Sequence, residues 1–401
     1  MANTINLNVL EKFECIGAQC PDHCCGEWQV IIDDEVLQRW QAIPALAKTI
    51  ASQTGILEGD QKQRRVMHKG EDGLCIQLDQ QGLCQIQSNY GHTALPAICQ
   101  QYPRKSFSIN GVDVHTAMLS CPEILRLALF DSNGINLFDN FKQMLTSSGF
   151  SSSQDQLNIT LARYMQDVMQ QKKYFLRYRL YLVACSLADV VTCLSEPKQG
   201  EDPNYQVQKL LSKPKDQLYE LNLLNKSGKL GLSDADFVSY WSAIYDISLT
   251  RNIKCLSSIT SHSALLLNLE QNGSGSITIN EQCMQLKSAF QAAQAQLSRH
   301  HLHLYERYVG LSLFNRGYPL MPYAKNQLLT MASALISFSI TGLFIAAVID
   351  QRGSISDAEL SEIIWKVERK TSHSDGLYDI IRENPHFLEL KEYASALLYL
   401  F

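Results

Sequence analysis

Eight of the twelve cysteines in this 401-residue chain fall within its first 121 residues, and four of them, Cys15, Cys20, Cys24 and Cys25, stand in the single run CIGAQCPDHCC. With Cys75, Cys84, Cys99 and Cys121 they form three groups spread along the region. Bringing such distant thiols together requires an irregular backbone. Disulfides and metal binding are the two chemistries that use cysteine at this density, and the compartment decides between them. The N-terminal stretch MANTINLNVLEKFEC carries acids and no apolar run of the secretory kind, so the expected location is the cytoplasm, where thiols stay reduced. The cysteines are therefore read as metal ligands. Soft thiolates favour zinc, copper(I) or iron–sulfur clusters.

Eight thiols exceed the four that one site takes, so either two sites exist or some thiols pack without ligating. A subset of about four is expected, and the spacing does not say which. The pattern C-x4-C-x3-C-C lacks the C-x2-C pair usual in zinc sites, which counts against zinc without removing it. Adjacent Cys24 and Cys25 leave a shared backbone in different directions, which predicts that one ligates while the other packs or serves a second site. His23 and His92 are alternative ligands, although a histidine near cysteines is commonly a hydrogen-bonding surface residue.

Composition divides the chain near residue 130. Residues 1–130 read as a small Cys-rich α+β metal-binding domain, 131–158 as a connection rich in Ser, Gly and Asn, and 159–401 as an α-helical domain for substrate or partner binding. The expected fold class is mainly α. Up to residue 130 the chain carries 14 acids and 10 bases, and beyond it 26 and 25, so neither part is basic enough to suggest nucleic-acid binding. In the first part, WQVIID reads as a strand, DEVLQRWQAI as a helix with an acidic first turn, and SFSINGVDVHTAML as a hairpin turning at Asn110-Gly111.

Beyond residue 158 apolar residues recur at three- and four-residue spacings. One helix is predicted from Thr160 to Leu194, and others over 281–314, 327–349, 356–369 and 388–400. No internal repeat of fixed period is evident. The 23 positions from Gln327 to Ile349 carry no charge and are long enough to cross a bilayer. Ser333, Ser337 and Thr341, with Thr330 before them, form a polar stripe on one face. A buried core helix is therefore expected, with no stable membrane insertion. Tyr174, Tyr178 and Tyr181 with Arg177, and Tyr305, Arg307 and Tyr308, are aromatic stripes of the kind that form core. His300, His301 and His303 lack the acid motif of a metal site, and His373 is a candidate base. Cys185, Cys193, Cys255 and Cys283 sit singly in helical segments, where no part in the metal site is expected.

The run FECIGAQCPDHCCGEWQVIID, followed by GLCIQLDQQGLCQI, ALPAICQQYPR and LSCPEILRLAL, resembles the flagellin lysine-N-methylase family, itself similar to a broader family of zinc- or iron-chelating Cys-rich domains. The likeness covers roughly residues 10 to 130 in order, spacing and intervening words, and continues in ERYVGLSLFNRGYPL and VERKTSHS. The resemblance implies methylation of flagellin lysine side chains, with S-adenosylmethionine as donor and a 4Fe-4S cluster held by the Cys-rich domain. Zinc is the alternative metal. A non-catalytic zinc- or iron-binding module that recognises a protein partner is the alternative function.

No G-x-G motif follows a predicted strand near an acid, so the common Rossmann-type methyltransferase site is not visible, and NGSGS at 272–276 reads as a loop. The C-x3-C-x2-C spacing of radical S-adenosylmethionine enzymes is also absent, which argues against radical chemistry. Near the cysteines, Tyr102 and Glu123 are candidate catalytic groups. Arg104 is a candidate partner for the donor's carboxylate, and Trp28 a neighbour. The bland readings are a helix cap for Glu123, a structural ion pair for Arg104 and core for Trp28.

Overall fold

The computed structural model describes residues 3–22, 24–26, 29–57, 63–109, 112–131, 153–197, 200–226, 232–251, 265–266, 269, 278–318, 324–372 and 376–400. Among these, every strand lies in the first 117 residues and long helices fill the rest. The fold is mainly α with a small α+β N-terminal region, as the sequence predicts.

Strand β1 (Asn3–Asn6) leads into a short helix α1 (Val9–Lys12). Of the predicted WQVIID strand, Ile31–Ile32 forms strand β2, and the Val30 carbonyl accepts from the Met67 N–H at 2.9 Å. Helix α2 (Asp34–Gln41) opens on Asp34 and Glu35, whose charges suit a helix N-terminus, and buries Val36 and Trp40. Helix α3 (Pro44–Gln53) starts on a proline, where the missing N–H costs nothing. Strands β3 (Thr54–Ile56) and β4 (Arg65–Met67) complete an antiparallel sheet in the order β2-β4-β3. Short helices α4 (Gln85–Tyr90) and α5 (Ala97–Gln101) follow. The predicted hairpin is present: β5 (Arg104–Ile109) pairs antiparallel with β6 (Val112–Ala117), from Arg104 opposite Ala117 to Ile109 opposite Val112. Its turn, Asn110-Gly111, lies outside the described residues. On the other edge of β6, β1 runs parallel, so the chain's first strand is held by one of the region's last. Helix α6 (Pro122–Phe130) ends the region.

The helical part comprises α7 (Ser153–Met169), α8 (Leu176–Ser195), α9 (Pro203–Leu210), α10 (Pro214–Lys226), α11 (Asp234–Thr250), α12 (Ile279–Gln296), α13 (Arg299–Asn315), α14 (Ala324–Arg352), α15 (Asp357–Ser372), α16 (Gly376–Glu383) and α17 (Leu390–Leu397). Two predicted helices are each broken once. The segment 160–194 is interrupted at 170–175, although no glycine or proline marks the break. The buried Arg179 accounts for it: its guanidinium donates to the carbonyls of Met169 at 2.6 Å and Tyr174 at 3.1 Å, satisfying the end of α7 and the approach to α8, and pairs with Glu306 at 2.7 Å. The segment 281–314 breaks at Leu297-Ser298, where the Ser298 hydroxyl caps α13 by accepting from the N–H of His301 at 3.1 Å.

Helix α14 is the axis of this part. Its stretch Gln327–Arg352 is long and apolar enough to span a membrane, yet its most apolar window is buried inside the protein, as in a core helix. The polar stripe on it faces α13 and α15: the Ser337 hydroxyl donates to the Ser333 carbonyl and to Thr371, both at 2.9 Å, and Thr341 donates to the Ser337 carbonyl at 2.8 Å.

Buried apolar residues form two clusters. The smaller joins Val30, Ile32, Val36, Trp40, Leu46, Ile50, Met67, Ile86, Ala94 and Leu95, with Cys75, Cys84 and Cys99 packed on its edge. The larger runs from Ile5, Val112, Val114 and Leu125 through the helices to Leu400. The β1-β6-β5 sheet and α6 therefore share a core with the helical part. Arg307 strengthens that junction by donating to the carbonyls of Leu129 at 2.8 Å and Asp131 at 3.2 Å, at the end of α6.

Candidate metal centre and the adjoining cavity

Two copies of one tight loop present two of the cysteines. In the first, the Gly70 N–H bonds the Leu74 carbonyl at 2.8 Å and the Asp72 carboxylate accepts from the Leu74 N–H at 2.9 Å. In the second, nine residues on, the Asp79 N–H bonds the Leu83 carbonyl at 2.9 Å and the Asp79 carboxylate accepts from the N–H groups of Gln81 and Leu83 at 2.9 and 2.8 Å. Gly73 and Gly82 sit at φ +78° and +75°, conformations glycine adopts without Cβ strain. Each loop closes on a lone bridge, Lys69 with Cys75 and Leu78 with Cys84, so the words GLC in the sequence are a structural repeat. That signal was available and sequence reasoning passed over it.

The first cysteine run packs against these loops. The Cys75 N–H donates to the Cys25 carbonyl at 3.1 Å, and the Lys69 ammonium to the Gly26 carbonyl at 2.9 Å. Cys24 and Cys25 do not diverge as adjacency predicts: their sulfurs lie 3.8 Å apart. Cys84 caps α4, Cys99 lies within α5, and Cys121 caps α6.

Mutual electrostatics show how the thiols converge. Burial, reinforced by Cys75, Cys84 and Cys24, pushes Cys99 up to about 12. Burial also raises Cys75, with Cys84 and Cys24 adding. The hydrogen bond with Cys24 and then burial raise Cys25, with Cys75 and Cys99 contributing. Cys24 itself is held down to about 7 by that bond, helped by the nearby Arg369 guanidinium. Burial raises Cys20, with Cys15 and Cys24 adding, and takes Cys121 to about 12, with Cys20 and Cys24 adding against the N–H groups of Ile124 and Glu123. The thiols influence one another in two overlapping groups. Cys25, Cys75, Cys84 and Cys99 make one, Cys15, Cys20 and Cys121 the other, and Cys24 belongs to both. All eight are free thiols.

Thiols crowded this way resist ionising in one another's company, and a bound cation would reverse that preference. Thiolate donors suit zinc as well as iron–sulfur clusters. Among the described residues no three His, Cys, Asp or Glu side chains close tightly enough to hold a single metal ion. Four ligands drawn around one ion is the arrangement structural zinc requires.

The thiol cluster is clamped to the helical part. Asp22, between Cys20 and Cys24, accepts from Arg369 of α15 at 2.8 Å and from the Trp365 indole at 3.1 Å. Arg369 also donates to the Ser120 carbonyl at 3.2 Å, one residue before Cys121. The Tyr102 hydroxyl bonds Ser120 at 3.2 Å, and burial first, then Cys121, raises its pKa.

Beside this clamp lies a cavity of about 200 Å³, lined by Lys105, Met118, Leu119, Ser120, Asn315, Arg316, Glu368, Thr371, Ser372 and Tyr378. The Asn315 amide fastens it by donating to the Ala117 carbonyl at 2.8 Å and accepting from Thr116. Within it, Arg316 and Glu368 pair at 3.3 Å with 6% and 4% of their side chains exposed. Glu368 also accepts from Tyr308 at 3.0 Å, Ser312 at 2.6 Å and Ser372. Arg316 also donates to Ser337 of the α14 stripe at 2.9 Å. The segments 306–320 and 367–374, which carry the resemblance in the helical half, meet here. Neither Glu368 nor Arg316 stood out in the sequence, because a buried ion pair formed across two helices leaves no local pattern.

Other sequence candidates lie elsewhere or act structurally. Arg104 stacks over the Phe13 ring at 5.3 Å, and its neighbour Lys105 is the residue that lines the cavity. Glu123 is held by Arg126 through bonds of 2.8 and 2.7 Å. His92 bonds the Gln100 carbonyl at 3.2 Å. His300 and His301 both pair with Asp357, at 3.1 and 3.2 Å. Tyr305 and Tyr308 are core residues, as is Tyr178, against which Arg177 stacks at 5.2 Å. His23, Trp28, Cys255, 272–276 and His373 lie outside the described residues.

The cavity joins the Cys-rich region to α13 and α15, and those helices belong to a recognisable module: the family model of the FliB lysine N-methylase C-terminal domain matches residues 162–397. The chain belongs to the FliB lysine N-methylase family. Flagellar biosynthetic protein FliU of Salmonella muenchen is 30% identical over 132 residues, 31% of this chain and 76% of that protein. A lysine-N-methylase of Salmonella typhimurium is 29% identical over 133 residues, and one of Salmonella choleraesuis 30% over 132. The matched stretch spans 32% of each of those two methylases. No solved structure matches the chain.

Proposed function

We propose that this protein is a protein-lysine N-methyltransferase that acts on flagellin, takes its methyl group from S-adenosylmethionine and depends on a 4Fe-4S cluster held by N-terminal cysteines in the cytoplasm. Family membership supports the methyl transfer, and the flagellar and methylase names of the relatives support the substrate. The observation that carries the reading is the clamp of Asp22 on Arg369, which ties the cysteine run to the family's helical module beside a cavity that both parts line.

Cys75, Cys84 and Cys99, with one of the adjacent pair Cys24 and Cys25, would hold the cluster. A cluster ligated by four thiolates would tie these loops together and fix them against the cavity wall. In the reaction, the lysine nitrogen bonds the methyl carbon as the sulfur–carbon bond breaks, the sulfonium leaves as a thioether, and the amine releases its proton. The protein's task is chiefly alignment of nitrogen, carbon and sulfur. Tyr102, kept protonated by burial, positions groups through its hydroxyl and does not serve as the base.

The test is incubation of purified protein with flagellin and S-adenosylmethionine carrying an isotopically labelled methyl group, read by peptide mass spectrometry. Label on lysine side chains is expected. Unlabelled flagellin from metal-replete protein would overturn the reading and leave a metal-stapled binding module in its place.

A further inference from the structure

Lys105 makes no direct ion pair with a carboxylate among the described residues, and Glu368 acts on it only at longer range. Its ammonium donates to the Asn315 carbonyl at 2.7 Å and stands 5.8 Å from the Phe107 ring. Arg316 is different, because Glu368 neutralises it and three hydroxyls occupy the remaining lone pairs of that carboxylate. The lining therefore carries a net positive charge. Burial first, and then Arg316, hold Lys105 down to about 8 against the opposing pull of Glu368.

A site of this charge favours a carboxylate, and the hydroxyls of its lining can accept from the ammonium of an amino acid. Its size, about 200 Å³, admits an amino-acid-sized group, and its walls combine Met118 and Leu119 with the hydroxyls of Ser120, Thr371 and Ser372. Ser120 also places the cavity one residue from the Cys121 thiol, at the edge of the metal centre. We infer that the cavity binds the α-amino-carboxylate head of the methyl donor, with Lys105 receiving the carboxylate and the nucleoside lying outside towards the thiol cluster. This rests on the donor assignment proposed above. It places the carboxylate on a protein ammonium, whereas the strand neighbour Arg104 is turned to Phe13.

The experiment uses full-length, anaerobically purified protein and two probes: S-adenosylhomocysteine, which keeps the amino-carboxylate, and methylthioadenosine, which lacks it. Calorimetry should show Lys105→Met losing about tenfold or more in affinity for the first probe and little for the second, with Lys105→Arg close to the parent. A measurement on the unaltered protein backs this up should the methionine variant fold poorly. Amine-reactive labelling of Lys105, read by mass spectrometry, should be suppressed by S-adenosylhomocysteine and not by methylthioadenosine. Unchanged affinity of Lys105→Met together with unprotected Lys105 would overturn the inference while flagellin methylation still stood. Failure of the parent protein to bind S-adenosylhomocysteine at all would overturn the donor assignment as well.

Discussion

The Cys-rich region and the helical part solve the problem of staying folded in different ways. In the helical part α14 is wrapped on every side, and a continuous apolar core carries it. Between residues 30 and 99 only eleven apolar side chains among the described residues are deeply buried, and many of the connections are loops closed by glycine turns and carboxylate–amide bonds. A shared metal centre would add the cross-links that so small a core lacks. The helical part can be read as a scaffold, and the Cys-rich part as a site that its metal completes.

The sharpest break in this contrast comes from the ligands. Replacing Cys75, Cys84 and Cys99 together by Ser should abolish bound iron and methyl transfer, read by metal analysis and peptide mass spectrometry. Far-UV circular dichroism should retain most of its helical signal. Loss of the helical signal along with the iron would show that the two regions are not independent in this sense.

Next in size is the buried pair in the cavity. Glu368→Gln leaves Arg316 without its counter-ion, and thermal unfolding should show a destabilisation of about 3–5 kcal/mol. Burial opposes ionisation of Glu368, but Arg316 and the surrounding hydroxyls outweigh it and lower its pKa. Its contribution is therefore present at neutral pH and lost as acid protonates the carboxylate. A variant as stable as the parent at pH 7 would mean that the pair contributes nothing to the helical scaffold.

Lys105→Met should have a smaller and opposite effect, raising Tm by about 2 °C by removing a buried ammonium that has no direct ion pair. The folded pKa of about 8 lies below the ordinary 10.5, so the burial penalty is fully present below pH 8 and is relieved as pH climbs towards 10.5. The parent protein should accordingly gain stability across that window and the variant should not. Affinity for S-adenosylhomocysteine should fall above about pH 8 in the parent, as the ammonium loses its charge.

Smallest of all, Cys185→Ser, Cys193→Ser and Cys283→Ser should leave the metal content unchanged, since Cys185 lies beside Tyr181, Cys193 bonds Gln206 at 3.0 Å and Cys283 bonds Asp234 at 3.2 Å, all away from the thiol cluster. Loss of iron in any of them would place ligands in the helical part.

The same contrast decides what could be read in advance. Periodicity located the helices because their apolar faces serve a single core, and the stripe Ser333, Ser337, Thr341 marked α14 as buried. Periodicity failed at 170–175 because the signal for the break is Arg179, whose meaning depends on which carbonyls it reaches in three dimensions. In the Cys-rich region the ligand types were legible, but the closeness of Cys24 to Cys25 and the paired GLC loops depend on backbone conformation. Of the cavity, Arg104 was the group singled out, while strand β5 delivers Lys105 instead. Alternation along a strand makes a one-residue shift decisive.

The most direct measurement is iron and acid-labile sulfide on anaerobically purified protein, followed by flagellin methylation before and after the metal is removed and restored. The account predicts about four irons and four sulfides per chain, with activity that vanishes and returns with them. Stoichiometric zinc without iron, or full methylation by metal-free protein, would contradict it.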